Sequence, residues 1–469
     1  MPTVDWTILA LCGGVKPMAP LNRRGSVSRS QSPAAMQHPH DENASVRNAG
    51  TSAITADARH RTSGLSVDAI RHNGLDDLSS LSFHAFAGRL HVQQLRALVI
   101  GCGESALSLA EQLQGTHSRV VFCAPNRAAM TITRGRAQQL GVMDGIEWHH
   151  GSLAEIAQMQ LSGLDYISAP FALNASCDPE RDLRQLRSML GPSGVVGLCL
   201  NGRYGCAGLR QVQDLMQRIN GHSASQHEKT ENTQWVMSSL PRTNWYMRGR
   251  TLFADEQAEL DHSETQRIIM TDDERSFSLP EVHALLDSVD LHFAEFSVDW
   301  RALYETDFAF QNPELNRRVK QLELRDQQAA AELYWGSILS HQFWATNAPP
   351  EAVDRSDTRL IPYFSRGAVE CGLVESILAT GDEPYVMQHA HADGVDVSLS
   401  FQVVPAVRRF VQTVDGQCSL DDIVTQIASE YQPMPERSEV IRVCRYLVDL
   451  LAKFDLLLLR DPSVPPILG

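Results

Sequence analysis

Arg96-Ala97-Leu98-Val99-Ile100-Gly101-Cys102-Gly103-Glu104-Ser105-Ala106 is the stretch from which the rest of the chain is read. Arg96–Ile100 has the texture of a buried strand, and Gly101-Cys102-Gly103 turns out of it. Ala106, Leu109, Ala110 and Leu113 then recur at helical spacing until Gly115. A glycine-rich turn from strand to helix lets backbone amides approach a ligand closely. Working outward, strands are expected at Arg119–Cys123, Ile146–His149, Leu164–Ser168 and Val195–Leu200. Helices are expected at Asn126–Leu140, from the capping-box spacing Ser152-Leu153-Ala154-Glu155, and from Asp178-Pro179-Glu180. Strands alternating with helices predict an α/β fold, a Rossmann-like parallel sheet with helices on both faces.

The chain has 469 residues, 43% hydrophobic and 21% charged, so most of it can bury a core. Its formal charge is 41 − 56 = −15, which argues against nucleic acid as the main partner. None of the nine cysteines forms a C-x-x-C pair and the count is odd, against a disulfide framework or a structural zinc site. Reduced thiols fit an intracellular, cytoplasmic protein. No apolar run approaches the roughly 18 residues of a membrane span. His389, His391 and Asp393 lack a further ligand at defined spacing, so no metal is expected. Nothing in the sequence fixes the oligomeric state.

Five segments follow from composition. Residues 1–75, rich in Arg, Ser, Ala and Asn, read as a disordered tail, with an organelle transit segment as the second reading. Residues 76–205 form the Rossmann domain. Residues 206–347 read as helical, including a long helix over Asn316–Phe343 and a helical core for Trp300, Trp335 and Trp344. Residues 348–365, with Pro349-Pro350, read as a linker. Residues 366–469 carry three helices, Val403–Val414, one from Ser419, and Glu436–Phe454, then a strand at Leu456–Leu459, which suggests a winged-helix-like module. Its Arg437, Arg442 and Arg445 are offset by acids, which favours packing against protein over DNA.

Over roughly residues 95–205 the chain resembles the class I S-adenosylmethionine-dependent methyltransferases. Val99-Ile100-Gly101-Cys102-Gly103 is similar to their first motif. Leu186–Leu190 followed by Gly191-Pro192-Ser193-Gly194-Val195-Val196 is similar to their helix, tight turn and fifth strand. Asn201-Gly202-Arg203-Tyr204-Gly205 resembles a bacterial-type subgroup in which a helical regulatory-like domain follows the core; Ala331-Glu332-Leu333 and Ser340-His341-Gln342-Phe343 fit the end of that domain.

The resemblance implies S-adenosylmethionine as cofactor and assigns it residues. Gly101, Cys102 and Gly103 would pass close to the methionine part. Ala124 and Pro125 stand at the end of the second strand, where the family carries an acid for the ribose. Ser152 and Leu153 stand at the adenine, and Ser168 ends the fourth strand. Glu104 is a conceivable substitute for the missing ribose acid. The departures are Ser105 for the third glycine, Ala124 for the ribose acid and Ser152 for the adenine-contacting Asp. No general base shows in Ser168-Ala169-Pro170-Phe171, and a sulfonium methyl needs orientation more than acid or base. The implied activity is methyl transfer, to a protein side chain by fold-level analogy. Two alternatives stay open: a catalytically degenerate interaction protein, and an NADP-binding protein in which Arg127 meets a 2′-phosphate.

Overall fold

The computed structural model describes residues 14–17, 74–159, 161–221, 225–248, 269, 274–390, 396–430 and 435–467. Strands β1 (Arg96–Ile100), β2 (Arg119–Ala124), β3 (Ile146–His150), β4 (Leu164–Ser168), β5 (Leu190–Asn201), β6 (His292–Phe296) and β7 (Ser340–Thr346) make one seven-stranded sheet. Its order is β3-β2-β1-β4-β5-β7-β6. Strands β1 to β5 are parallel neighbours, and β7 runs antiparallel between β5 and β6. The dinucleotide-binding order is 3-2-1-4-5-6. The inserted antiparallel β7 separates this sheet from it and counts against the NADP alternative.

Strand alternation divides the sheet's side chains between two cores. Ala97, Val99, Val120, Phe122, Tyr166 and Trp344 face α1 (Leu78–Ala85), α2 (Gly103–Gln112) and α3 (Arg127–Leu140). Leu98, Val121, Ile167, Val196 and Leu198 face α4 (Leu153–Gln158) and α5 (Pro179–Met189). Helices α6 (Ala207–Asn220) and α7 (Gln226–Ser239) pack together through Val212, Met216 and Val236, and α8 (Leu279–Ser288) joins α5 on the second face. Then come α9 (Val298–Tyr304), α10 (Thr306–Ala309), α11 (Pro313–Val319) and α12 (Leu324–Trp335).

Residues 206–347 are therefore not all helix, and the Rossmann sheet does not end at 205. Gly336, at φ +63°, caps α12 in the left-handed region, and the chain leaves it as β7. Every residue of β7 is buried, as befits an interior strand. Such a strand lacks the polar-apolar alternation that would announce it. Trp344 belongs to this sheet rather than to a helical core, while the side chain of Trp300 lies outside the described residues.

The C-terminal part holds β8 (Ile361–Phe364), α13 (Arg366–Glu370), α14 (Leu373–Ala379), β9 (Tyr385–Ala390), β10 (Asp396–Phe401), α15 (Pro405–Thr413), α16 (Leu420–Ser429), α17 (Arg437–Ala452) and β11 (Leu457–Arg460). The three helices and final strand expected from sequence are present. The strand's partner, antiparallel β8, lies in the stretch read as a linker; Ile361 and Tyr363 are buried there. Of the stretch read as a tail, Gly14–Pro17 is a strand paired with β10, and Gly74 and Leu75 belong to a buried 3-10 turn, Gly74–Asp76. The rest of residues 1–73 lies outside the described residues, as do His391, Asp393 and the side chain of His389. Among the described residues no helix is long and apolar enough to cross a membrane.

A buried ionic knot fastens the C-terminal part to the sheet. Asp455, in the turn before β11, lies 2.8 Å from His84 Nε2 on α1 and accepts from Arg301 Nη1 on α9 at 2.8 Å. Burial alone would raise the Asp455 pKa, but Arg301 and then His84 hold it well below the usual range. Removing one partner from such a knot strands a buried charge, at a cost of about 3–5 kcal/mol. Asp455→Ala should lose that much stability in urea unfolding. Arg355→Ala, which breaks the exposed 3.2 Å bridge to Asp449, should lose less than about 1 kcal/mol. Equal losses would contradict the assignment.

Candidate functional site

Parallel strands deliver their C-terminal ends to one edge of the sheet, where ligands of open α/β folds bind. Gly101 leaves β1 there at φ +79°, its N–H donating to Cys123 O at 2.9 Å. Nothing lies within 4 Å of where its Cβ would stand, so the turn is open in front. Gly103 has a different reason. A Cβ there would collide with Thr133 Oγ1, so this glycine serves the packing of α2 on α3. Cys102 is buried at the N-cap of α2. Glu104, in the first turn of α2, has its carboxylate paired with the half-exposed Arg136 of α3.

Ala124 does end β2 at this edge, but it is fully buried and presents only a methyl group. Its carbonyl accepts from Gly151 N at 3.1 Å, and Pro125 beyond it is exposed. Ser152 caps α4: its N–H donates to Glu155 Oε2 at 2.6 Å, and its Oγ accepts from Glu155 N at 3.4 Å. That capping box accounts for Ser152, and the half-buried Leu153 packs on the core behind it. Ser168 ends β4 directly beside Val99 of β1 and is fully buried.

Around Ser168 the structure assembles a group that the sequence did not disclose. Asp76 is fully buried in the 3-10 turn, one residue before Asp77, which caps α1. Tyr166 Oη approaches Asp76 Oδ1 at 3.3 Å. Among the described residues Asp76 Oδ2, Ser105 Oγ and Ser168 Oγ meet no partner in good hydrogen-bond geometry, although both hydroxyls lie near enough to the Asp76 carboxyl to lower its pKa. Buried polar atoms are normally well paired, so this loosely paired trio marks a polar spot in an otherwise apolar core. Burial pushes the Asp76 carboxyl up to about 6, against weaker lowering by Ser105, Ser168 and Tyr166. In the sequence Asp76 is the first half of an Asp-Asp pair at the mouth of a tail, and only long-range packing distinguishes the two.

These residues fit S-adenosylmethionine unevenly. The ammonium end of such a molecule suits an open glycine turn beside a dry carboxylate. The ribose end finds no acid at Ala124, and the adenine position finds a serine already bonded as a cap.

No protein-family model matches the chain. The uncharacterized protein syc1184_c of Synechococcus sp. is 25% identical over 150 residues, covering 32% of this chain and 36% of that protein. The chain thus matches little more than a third of that curated relative. Among solved structures, PKMT2 from Rickettsia typhi in complex with AdoHcy superposes with a TM-score of 0.58 at 9% identity, covering 83% of this chain and 76% of that one. A second structure of PKMT2 from Rickettsia typhi gives 0.57 at 10% identity, over 84% and 77%. At such identities the likeness is one of fold: the chain has the class I methyltransferase fold.

An acid whose pKa rises on folding, here from 3.8 to about 6, destabilises the fold only where the unfolded chain is ionised. Stability should therefore fall as pH rises from about 4 to 6 and stay level above, a loss of about 3 kcal/mol. Asp76→Asn should not show this loss in urea unfolding. Parallel pH profiles for the two proteins would show that the carboxyl is not desolvated.

Proposed function

We propose that the chain binds S-adenosylmethionine at the C-terminal edge of β1, β2 and β4 and transfers its methyl group to an acceptor nucleophile. The observation that carries this reading is the loosely paired, buried Asp76–Ser105–Ser168 group near the open Gly101 turn. The fold likeness to PKMT2, which was crystallised with AdoHcy, supports it. When bound, the cofactor supplies an activated methyl on a sulfonium. The residues of the chain bind and orient it. Ionised Asp76 takes the ammonium, Ser105 and Ser168 offer their hydroxyls, and Gly101 and Cys102 line the methionine part. The adenosine is held by shape alone, against Ala124, Pro125 and Leu153. A protein side chain as acceptor rests on the likeness to PKMT2 alone.

A second reading, an interaction protein on a methyltransferase fold, is favoured by one specific set of facts. Ala124 offers no acid, Ser152 is used by its helix and Glu104 is paired with Arg136. Calorimetric titration of the full chain with S-adenosylmethionine, AdoHcy and NADPH separates the readings. Methyl transfer expects dissociation constants on the order of micromolar for the first two. Gly101→Arg should abolish that binding while the protein stays folded, since the added side chain meets open space and the positive φ costs about 1–2 kcal/mol. Asp76→Asn should weaken binding about 10- to 100-fold, as loss of a charge-assisted bond does. Affinity should rise from pH 5 to 7 as the carboxyl, pushed up to about 6, ionises. A folded chain that binds neither sulfur ligand would favour the interaction protein, and NADPH binding alone would overturn both.

A further inference from the structure

A cavity of about 410 Å³ opens beyond the C-terminal end of β5, lined by Arg203, Arg210, Arg275, Ser276, Phe277 and Glu281. That volume is in the range of small-ligand pockets. Its floor is fixed by backbone. Phe277 N donates to Asn201 O at 2.7 Å and Arg203 N donates to Phe277 O at 2.9 Å, so the chain leaving β5 pairs with the segment before α8. A Cβ at Gly205 would strike the Ile338 carbonyl, so a glycine lets this loop close down and present Arg203 and Arg210.

The charges at the wall do not balance. Glu281 Oε1 meets Arg203 Nη2 at 2.5 Å, and its Oε2 accepts from Ser278 N and Oγ at 2.8 Å each, so this carboxylate is fully used. Arg210 Nη1 donates to the neutral Gln213 Oε1 at 3.3 Å, and Arg275 Nη2 donates to Cys177 O at 2.8 Å. Neither guanidinium has a carboxylate partner among the described residues. Glu274 is buried, its Oε2 taken by Asn201 Nδ2 at 3.0 Å. Among the described residues three guanidinium groups and one carboxylate thus line the cavity, in a chain of net charge −15. Guanidinium groups without counter-charges form strong paired hydrogen bonds to carboxylates and phosphates and repel ammonium groups.

We propose that this cavity binds an oxyanion, a carboxylate or phosphate group, carried by the methyl acceptor. Ser168 sits opposite Gly197 of β5, and Asn201 stands four residues farther along that strand, so the cavity begins roughly 14 Å from Ser168. An extended acceptor that spans this distance can place its anion here and its nucleophile before the cofactor. The identity of the carrier as methyl acceptor rests on the function proposed above; the anion site does not.

Titration of the full chain with inorganic phosphate and, separately, citrate, at ionic strength held constant with chloride, tests the site. Saturable binding with a rise in melting temperature is expected. Arg210→Gln with Arg275→Gln should weaken it at least tenfold while leaving the melting temperature without phosphate and the affinity for AdoHcy unchanged. Glu281→Gln, which keeps a capping side chain and frees Arg203, should tighten it. Preference for phosphate or for citrate identifies which oxyanion the site takes. Binding no different from chloride, or unaffected by the double substitution, would overturn the proposal. Phosphate binding in a protein that ignores AdoHcy would keep the anion site and remove the methyl acceptor.

Discussion

The carbonyl oxygen of Leu75 accepts two buried hydrogen bonds, from Tyr166 Oη on β4 at 2.7 Å and from Trp344 Nε1 on β7 at 3.1 Å. On this contact hangs the whole region above the sheet. It fastens the 3-10 turn to two strands that lie far apart in sequence. Gln112, near the end of α2, adds a clamp, donating to Asp76 O at 2.7 Å and accepting from Leu78 N at 3.0 Å. Tyr166 reaches Leu75 only because the next strand carries Gly197, where a Cβ would collide with the hydroxyl. The turn is thereby held at the ligand edge of the sheet, and Asp76 is held with it. An ionisable group this deeply buried has to be fixed by its surroundings, since left to itself it would move to water.

The edge so built is lopsided. Its β1–β4 side carries loosely paired polar atoms and an open turn, whereas its β2–β3 side is finished, with Ala124 buried and Ser152 capped. Beyond β5 comes an arginine-lined cavity. A ligand held by charge at one end and by shape at the other agrees with this distribution.

Much of the sheet was legible from sequence because β1 to β5 and their helices follow one another with clear periodicity and punctuation. Gly191–Gly194, read as a turn before the fifth strand, lies inside β5 as an irregularity: four residues stand there opposite the single residue between Leu164 and Tyr166. Strand β7 was not legible, since Ser340-His341-Gln342 looks polar and is buried through partners such as Phe277 O, which His341 Nε2 meets at 2.9 Å. Strand β8 hid in a proline-containing stretch because its partner lies almost a hundred residues later. The candidate site was half legible. The positions of Gly101, Ala124, Ser152 and Ser168 could be counted along the motifs. The pairing of Glu104 with Arg136, the packing role of Gly103 and the placement of Asp76 depend on contacts between elements that no local pattern encodes.

The central claim is that the Asp76 turn and the Gly101 turn together hold one end of a sulfur-containing nucleotide ligand. Hydrogen exchange of the full chain with and without AdoHcy tests it most directly. The account predicts slower exchange of the amides of residues 74–80 and 101–108, with little change across α15 to α17. Slowing confined to the C-terminal helices, or none at either turn when the ligand is bound, would contradict it.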